Sequence, residues 1–421
     1  FQAIGGFDES YVYGQEDVDL CLRLRGMLGG SVICDSGVAA LHGRAATRGT
    51  PRRDAPEPMA AVLDRQAGNR NLLASRFAPR LRRMALDTLI GGGMPWRVAP
   101  LRVVFIVTEA SETATAGDVF TAREFGAALR AQFGWEVLFA GYRTLDLARA
   151  DIVIVMRHDV DLRGWRGANP GLIAVAWVRN RVDEWLACPS FAAYHVVLAS
   201  SRKACAAIVA QTGRDVTLLP IAANAARFDP GREPLARRSD IVFTGNNWGA
   251  ARTALDQIDL DRFGPSLAIF GRGWKGHPRW GAYWQGALAY DEVARAYAGA
   301  RIVIDDGHPV ARDWASLNSR VFDALAAGAL VITNCVEGAA EMFDGLLPSF
   351  TTRRQLNDLL ARYLGAENER RTLVARLRGH VLRAHRYEHR APVLRTALSA
   401  ASRCYRVAIK IAVPDPARRD N

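Results

Sequence analysis

Residues 300–334 read ARIVIDDGHPVARDWASLNSRVFDALAAGALVITN, and this stretch limits the possible folds more than any other. An apolar run at 301–304 ends in two aspartates and a polar loop follows. The spacing then predicts a helix over 316–327, a stop at Gly328 and a second apolar run at 330–333. Two short strands joined by one crossover helix form a parallel βαβ unit. The helix opens on Asn318, Ser319 and Arg320, where free backbone N–H groups and the helix dipole favour an anion. Ser319 adds a hydroxyl, and Arg320 adds a planar fork of donors suited to phosphate. Asp323 follows one turn later on the same side, where a carboxylate can accept from sugar hydroxyls. A diphosphate with a ribose is what a nucleotide presents. An ordinary capped core helix carries similar residues, so the pattern alone leaves both readings open.

The same rhythm runs through most of the 421 residues, too many for one ordinary core. Short Val- and Ile-rich runs at 103–107, 136–139, 152–156, 172–178, 195–199 and 217–220 alternate with helical patterns such as 119–132 and 202–211. The alternation restarts at 241–244, 267–270, 302–305 and 330–333. Near-continuous apolar strands mean sheets buried on both faces, so the fold class is α/β with two doubly wound, Rossmann-like domains. The expected organisation is an N-terminal segment 1–58, a helical linker 59–100, domains at 101–232 and 233–364, and a helical arginine-rich tail 365–421 that can cross back to brace the other domain. The Pro/Gly/Arg-rich stretch 227–238 reads as a hinge. A cleft between the domains would face the strand C-termini.

Lys and Arg number 55 against 43 Asp and Glu, a net charge of +12. Such a chain can bind nucleic acid, an anionic membrane face or an anionic small substrate, or it can simply reflect arginine-rich codon usage. The basic residues are dispersed, and no zinc-finger, RNP-like or basic-zipper pattern occurs, so nucleic acid is not an expected partner. Cys21, Cys34, Cys188, Cys205, Cys335 and Cys404 are scattered without a C-x-x-C pair, which fits reduced thiols and no thiolate metal site. With no apolar run long enough to span a bilayer and no visible signal peptide, the expected location is cytoplasmic, with a peripheral hold on the inner membrane face as an option.

In the N-terminal segment, residues 4–25 (IGGFDESYVYGQEDVDLCLRLR) put Glu16, Asp17 and Asp19 at a helix start. Acids there suit the dipole, or one serves as a general base. His42 follows a strand-like run at 32–34, where a histidine near acids can ligate a divalent metal. These motifs resemble the acceptor-side end of a family-2, GT-A-type glycosyltransferase. The resemblance implies that Asp17 activates an acceptor and that His42 contributes to a metal site. It covers about the first 50 residues and lacks that family's nucleotide-binding half, so the segment is expected to be a remnant or truncation without activity of its own.

Residues 100–395 resemble a GT-B glycosyltransferase of the spore-maturation type with a "glycosyl transferases group 1" C-terminal domain. The motifs are FTGNNWGAAR (243–252), AIFGRGW (268–274), YDEVARAYAGARIVID (290–305), SLNSRVFDALAAGALVITN (316–334) and EMF (341–343). Gly245 ends a strand where backbone amides and Arg252 can approach a phosphate. Gly271 and Gly273 permit a tight turn, after which Trp274 can face a nucleobase and Lys275 offers a second cation, although a lone Gly-x-Gly is also an ordinary turn. The resemblance implies a UDP- or GDP-type sugar donor, with Asn318, Ser319 and Arg320 facing its diphosphate and Asp323 holding its ribose. Asp323 matches the second acid of a Glu-x7-Glu pattern, but Ala315 stands where the first acid belongs. Enzymes of this fold need no tightly bound metal, because cationic side chains and helix termini neutralise the leaving diphosphate.

On the other domain, residues 108–130 (TEASETATAGDVFTAREFGAALR) place Gly117 and Asp118 before a helix at the cleft edge. Asp118 is either a helix cap or an acceptor-activating base. His158 and Asp159 follow the strand at 152–156, where either can be that base. The expected function is transfer of a sugar from a nucleotide sugar to a glycan or lipid-linked acceptor, by resemblance a cell-surface polysaccharide. Two alternatives remain at this stage: a sugar-nucleotide epimerase of the same fold, and a non-catalytic nucleotide-binding or scaffold module of a polysaccharide synthase.

Overall fold

The computed structural model describes residues 1–12, 14–28, 59–90, 100–143, 146–169, 172–235, 239–247, 249 and 251–408. His42, the run at 32–34 and the Pro-rich stretch at 50–58 lie outside the described residues. Contacts divide the chain into two compact units, Phe1–Thr88 with Ser402–Asn421, and Leu89–Ala401.

In the first unit, α1 (Glu16–Met27) precedes the long α2 (Met59–Ile90). Asp19 is fully buried and accepts from the Tyr11 hydroxyl at 3.1 Å and from Arg23 Nε at 2.5 Å. That acid is therefore a packing anchor. Asp17 is exposed, and its carboxylate accepts only from the next backbone amide, Val18 N, at 2.8 Å among the described residues.

The second unit carries two parallel sheets. The first lobe comprises β1 (Arg102–Val107), α3 (Gly117–Phe133), β2 (Glu136–Gly141), β3 (Ile152–Val155), α4 (Arg163–Ala168), β4 (Ile173–Val178), α5 (Val182–Ala187), β5 (Val196–Ala199), α6 (Arg202–Thr212) and β6 (Val216–Leu218). Its strand order is β2-β1-β3-β4-β5-β6. Every residue of β3, β4 and β5 is buried, as expected for strands covered by helices on both faces. Phe105, Phe125 and Trp177 fill the space between sheet and helix, with ring centroids 6.0 and 5.4 Å apart in edge contacts.

The second lobe holds β7 (Ile241–Thr244), α7 (Leu260–Phe263), β8 (Leu267–Phe270), α8 (Tyr290–Ala298), β9 (Ile302–Asp305), α9 (Pro309–Arg312), α10 (Ser319–Ala326), β10 (Leu330–Thr333) and α11 (Val336–Phe343). Its order is β10-β9-β7-β8. All four strands match their sequence-expected bounds. Each sheet reverses its winding once, between β1 and β3 in the first lobe and between β7 and β9 in the second. Ligand crevices form at such points, beyond the strand C-termini.

The tail forms α12 (Arg353–Gly365), α13 (Glu367–Ala384) and α14 (Tyr387–Ala408). The expected return to the first lobe occurs at the start of α14. Buried Arg390 donates to Pro220 O at 2.8 Å and to Ile221 O at 3.3 Å, and Gln132 donates to Glu388 O at 2.8 Å. Burial, then the Arg390 guanidinium, push the neighbouring His385 down to about 3, so it packs as a neutral ring.

Candidate active site

Both reversal points open on one cleft of about 1620 Å³, walled by residues of both lobes. The second-lobe wall begins at the end of β7. Gly245 and Gly271 cross there backbone to backbone, and Gly245 N donates to Phe270 O at 2.9 Å. A Cβ on Gly271 would lie 2.2 Å from Gly245 O, and its φ of +140° disfavours any side chain. The floor of the cleft is therefore bare backbone.

At the neighbouring strand end, fully buried Asp305 organises the start of α10. It accepts from Arg320 Nη1 at 2.7 Å, Asn318 Nδ2 at 2.6 Å and Thr333 Oγ1 at 2.7 Å. Asn318 caps the helix, its Oδ1 accepting from Arg320 N at 2.9 Å. Arg320 also donates from Nε and Nη2 to Thr244 O at 2.9 and 2.5 Å and lies over the Phe243 ring, 4.9 Å from its centroid. Its charge is thus balanced within the protein, and its role at the cleft is to fix α10 against β7. Ser319, the first helical residue, lines the cleft and bonds Asp323 through its hydroxyl.

Arg252 is the less compensated cation of this wall. Its Nη2 donates to Asn246 O, its Nη1 is 4.0 Å from Asp306 Oδ2, and its Nε is buried without a hydrogen-bond partner. Burial, then repulsion from Arg320, lower its pKa, the signature of a cation short of counter-charge. Asp323 is only 5% exposed, and burial, then Glu124 across the lobes, push its carboxyl well above the usual carboxylate range. Glu124 accepts from Asn224 Nδ2 and from Arg227 Nε at 2.7 Å.

On the first-lobe wall, Asp118 does not cap α3, whose N-cap is Ala116. Its Oδ2 accepts from the Thr108 backbone at 2.7 Å and from the Thr108 hydroxyl at 2.8 Å, while Oδ1 is buried and unpartnered. His158 is half-buried and lines the cleft. Burial works to raise Asp159, but Arg157, 2.5 Å away, outweighs it and holds the carboxyl low, which makes Asp159 a poor base. Sequence reasoning passed over Arg179, the first residue after β4, which lines the cleft and whose Nε is buried without a partner. The available signal was a lone arginine closing a wholly apolar strand at its C-terminal end.

The structure thus gathers Asp118, His158, Gly245, Arg252, Gly271, Asn318, Ser319, Arg320 and Asp323 around one cleft. Trp274 and Lys275 lie outside its walls. Trp274 is 1% exposed and donates from its indole to Gly245 O at 2.7 Å, so the ring supports the floor from behind instead of facing a base. Lys275 is exposed. Asp17 belongs to the other compact unit. Ala315 is buried with a φ of +54° in the loop before α10. Among the described residues no group of three or more His, Cys, Asp or Glu is placed to hold a metal, and no helix is long and apolar enough to cross a membrane.

Residues 237–396 match the Glyco_trans_1_2 family model, described as glycosyl transferase-like. No curated protein sequence matches the chain. Among solved structures, HepE of Anabaena in complex with UDP and glucose is similar over 71% of this chain and 100% of its own, with 11% identity and a TM-score of 0.53. Sucrose-phosphate synthase of Thermosynechococcus elongatus is similar over 71% of this chain and 100% of its own, at 14% identity and a TM-score of 0.52. A mutant O-GlcNAc transferase of Thermobaculum terrenum is similar over 73% and 68% respectively, at 13% identity and a TM-score of 0.51. These likenesses establish the GT-B fold of the two lobes. The glycosyl transferase-like match falls on the second lobe and the helices that follow it.

Proposed function

We propose that this chain is a glycosyltransferase that takes its sugar from a UDP- or GDP-type donor held on the second lobe and passes it to a glycan or lipid-linked acceptor held on the first. The observation that carries the reading is the pairing of Arg252, with its unpartnered buried Nε, and the Ser319 end of α10 on one cleft wall. Both supply positive potential where a leaving diphosphate would develop charge. The bare backbone at Gly245 and Gly271 lets phosphate oxygens come close. Asp323, whose carboxyl holds its proton well above the usual range, offers a donor and an acceptor to vicinal ribose hydroxyls. His158 is the candidate proton acceptor for the acceptor hydroxyl, its ring being on the first-lobe wall without a carboxylate hydrogen bond among the described residues. Asp118 steadies that wall through Thr108.

Closure of the lobes would exclude water, so that transfer outruns hydrolysis. The motifs at 243–252 and 316–334 favour the spore-maturation-type branch. Surface polysaccharide is the proposed product class, made on the cytoplasmic side with a peripheral hold on the membrane. We read residues 1–58 as an accessory GT-A-like segment, with Asp17 as its candidate base. Calorimetric titration with UDP and GDP, followed by incubation with their sugars, tests the reading. Binding of one nucleotide and slow hydrolysis of its sugar support it. Isomerisation of the donor would favour an epimerase, and no binding at all a scaffold.

A further inference from the structure

The cations of the first-lobe wall are not equivalent. Arg157 pairs with Asp159 at 2.5 Å, Arg181 with Glu184 at 2.8 Å, and Arg227 with Glu124 at 2.7 Å. Arg179 has no carboxylate within 4.0 Å among the described residues. Its guanidinium makes one long bond, Nη2 to Met156 O at 3.3 Å, and its Nε is buried and unpartnered. Burial depresses its pKa, with Asp118 the largest opposing charge. The backbone carrying it is fixed from the second lobe, because Ser316 Oγ donates to Arg179 O at 2.9 Å and Arg181 N donates to Val310 O at 2.9 Å. A largely desolvated, unpaired cation destabilises a fold unless something supplies counter-charge. A second unmet atom stands on the same wall: Asp118 Oδ1, an acceptor with no donor. A cation without an anion and a carboxylate oxygen without a hydroxyl together describe a hydroxylated ligand that carries an oxyanion.

We propose that the acceptor is anionic, bearing a phosphate or a carboxylate that Arg179 binds while one of its hydroxyls donates to Asp118. This rests on the donor and acceptor assignment above. Arg252 and α10 already account for a donor diphosphate on the opposite wall.

The test uses the full chain and three probes, glucose 6-phosphate, glucuronate and glucose, titrated calorimetrically with and without saturating UDP or GDP. The expected result is that one anionic probe binds at least tenfold more tightly than glucose, which also separates phosphate from carboxylate. Arg179→Met should weaken that probe tenfold or more, leave nucleotide affinity within twofold, and keep or raise the Tm because it removes a desolvated cation. Arg179→Lys should retain part of the binding, and Arg252→Gln should weaken the nucleotide and spare the probe. The proposal is overturned if neither anion outbinds glucose, if Arg179→Met leaves the probe affinity unchanged, or if that variant weakens the nucleotide instead, which would put Arg179 on the donor. Should no nucleotide bind, the donor assignment fails by itself, and the titrations without nucleotide still decide the role of Arg179.

Discussion

Gly271 can bear no side chain because a Cβ would lie 2.2 Å from the Gly245 carbonyl oxygen, at a φ of +140°. Gly271→Ala should therefore cost roughly 2 kcal/mol or more of stability, read as a lower urea midpoint, and should loosen nucleotide binding as the floor is pushed apart. Arg252→Gln acts differently. Losing a charged donor to a phosphate should weaken nucleotide binding by about tenfold, or ~1.5 kcal/mol, with little loss of Tm, as calorimetry and a thermal melt would show. Single residues also mark where the sequence could be read. The positions of Gly245 and Gly271 just after strands were legible, although an ordinary turn would use glycine there too. Trp274 was not: an aromatic after Gly-x-Gly can stack on a ligand or prop the turn, and only the indole bond to Gly245 O decides. Arg179 looked like any solvated arginine until its unpartnered Nε was visible.

Among the elements, α10 carries most of the proposed donor site. Its sequence pattern suggested a start at residue 316, yet the helix begins at Ser319. Asn318 caps it there, and Ala315, with a φ of +54°, turns the chain just before. Asp305 gathers Asn318, Arg320 and Thr333, so the strand β9 fixes the helix start from below. Asp305→Ala would leave the largely buried Arg320 without counter-charge, and removing one partner of such a pair costs up to about 3 kcal/mol. A chemical denaturation curve should show that loss. The four strands of the second lobe needed no such correction, because short apolar runs almost wholly buried admit little else, whereas the partly exposed edge strand expected at 217–220 forms at Val216–Leu218. The exact helix start depended on a cap and a left-handed residue whose partners are distant in sequence.

Across the whole molecule, the lobes meet through Arg227, which reaches Glu124 on α3 and Asp291 on α8, and through Phe120 stacked on Tyr290 with centroids 4.2 Å apart. Asp323 and Glu124 face each other at this junction, and burial first, then Glu124, raise the Asp323 carboxyl. Its pKa is higher folded than unfolded, so the stabilisation it contributes is complete below the ordinary carboxylate value. That stabilisation is lost as pH rises through the raised folded value. The urea midpoint of the native chain should fall over that window relative to Asp323→Asn, whose amide carries no proton to lose. Parallel profiles for the two proteins would contradict the buried carboxyl pair. The two-lobed architecture was legible in the sequence from its repeated rhythm. The Glu124–Asp323 junction was not, because the two residues lie on separate helices nearly two hundred positions apart and meet only when the lobes pack.

The central claim is that a donor's diphosphate sits between Arg252 and the first turn of α10. A crystal structure of the chain with UDP or GDP diffused in, whichever binds by calorimetry, tests it most directly. Phosphate oxygens are expected within hydrogen-bonding distance of Ser319 and Arg252, with the ribose beside Asp323. A nucleotide bound on the first-lobe wall, or anywhere outside the cleft, would contradict it.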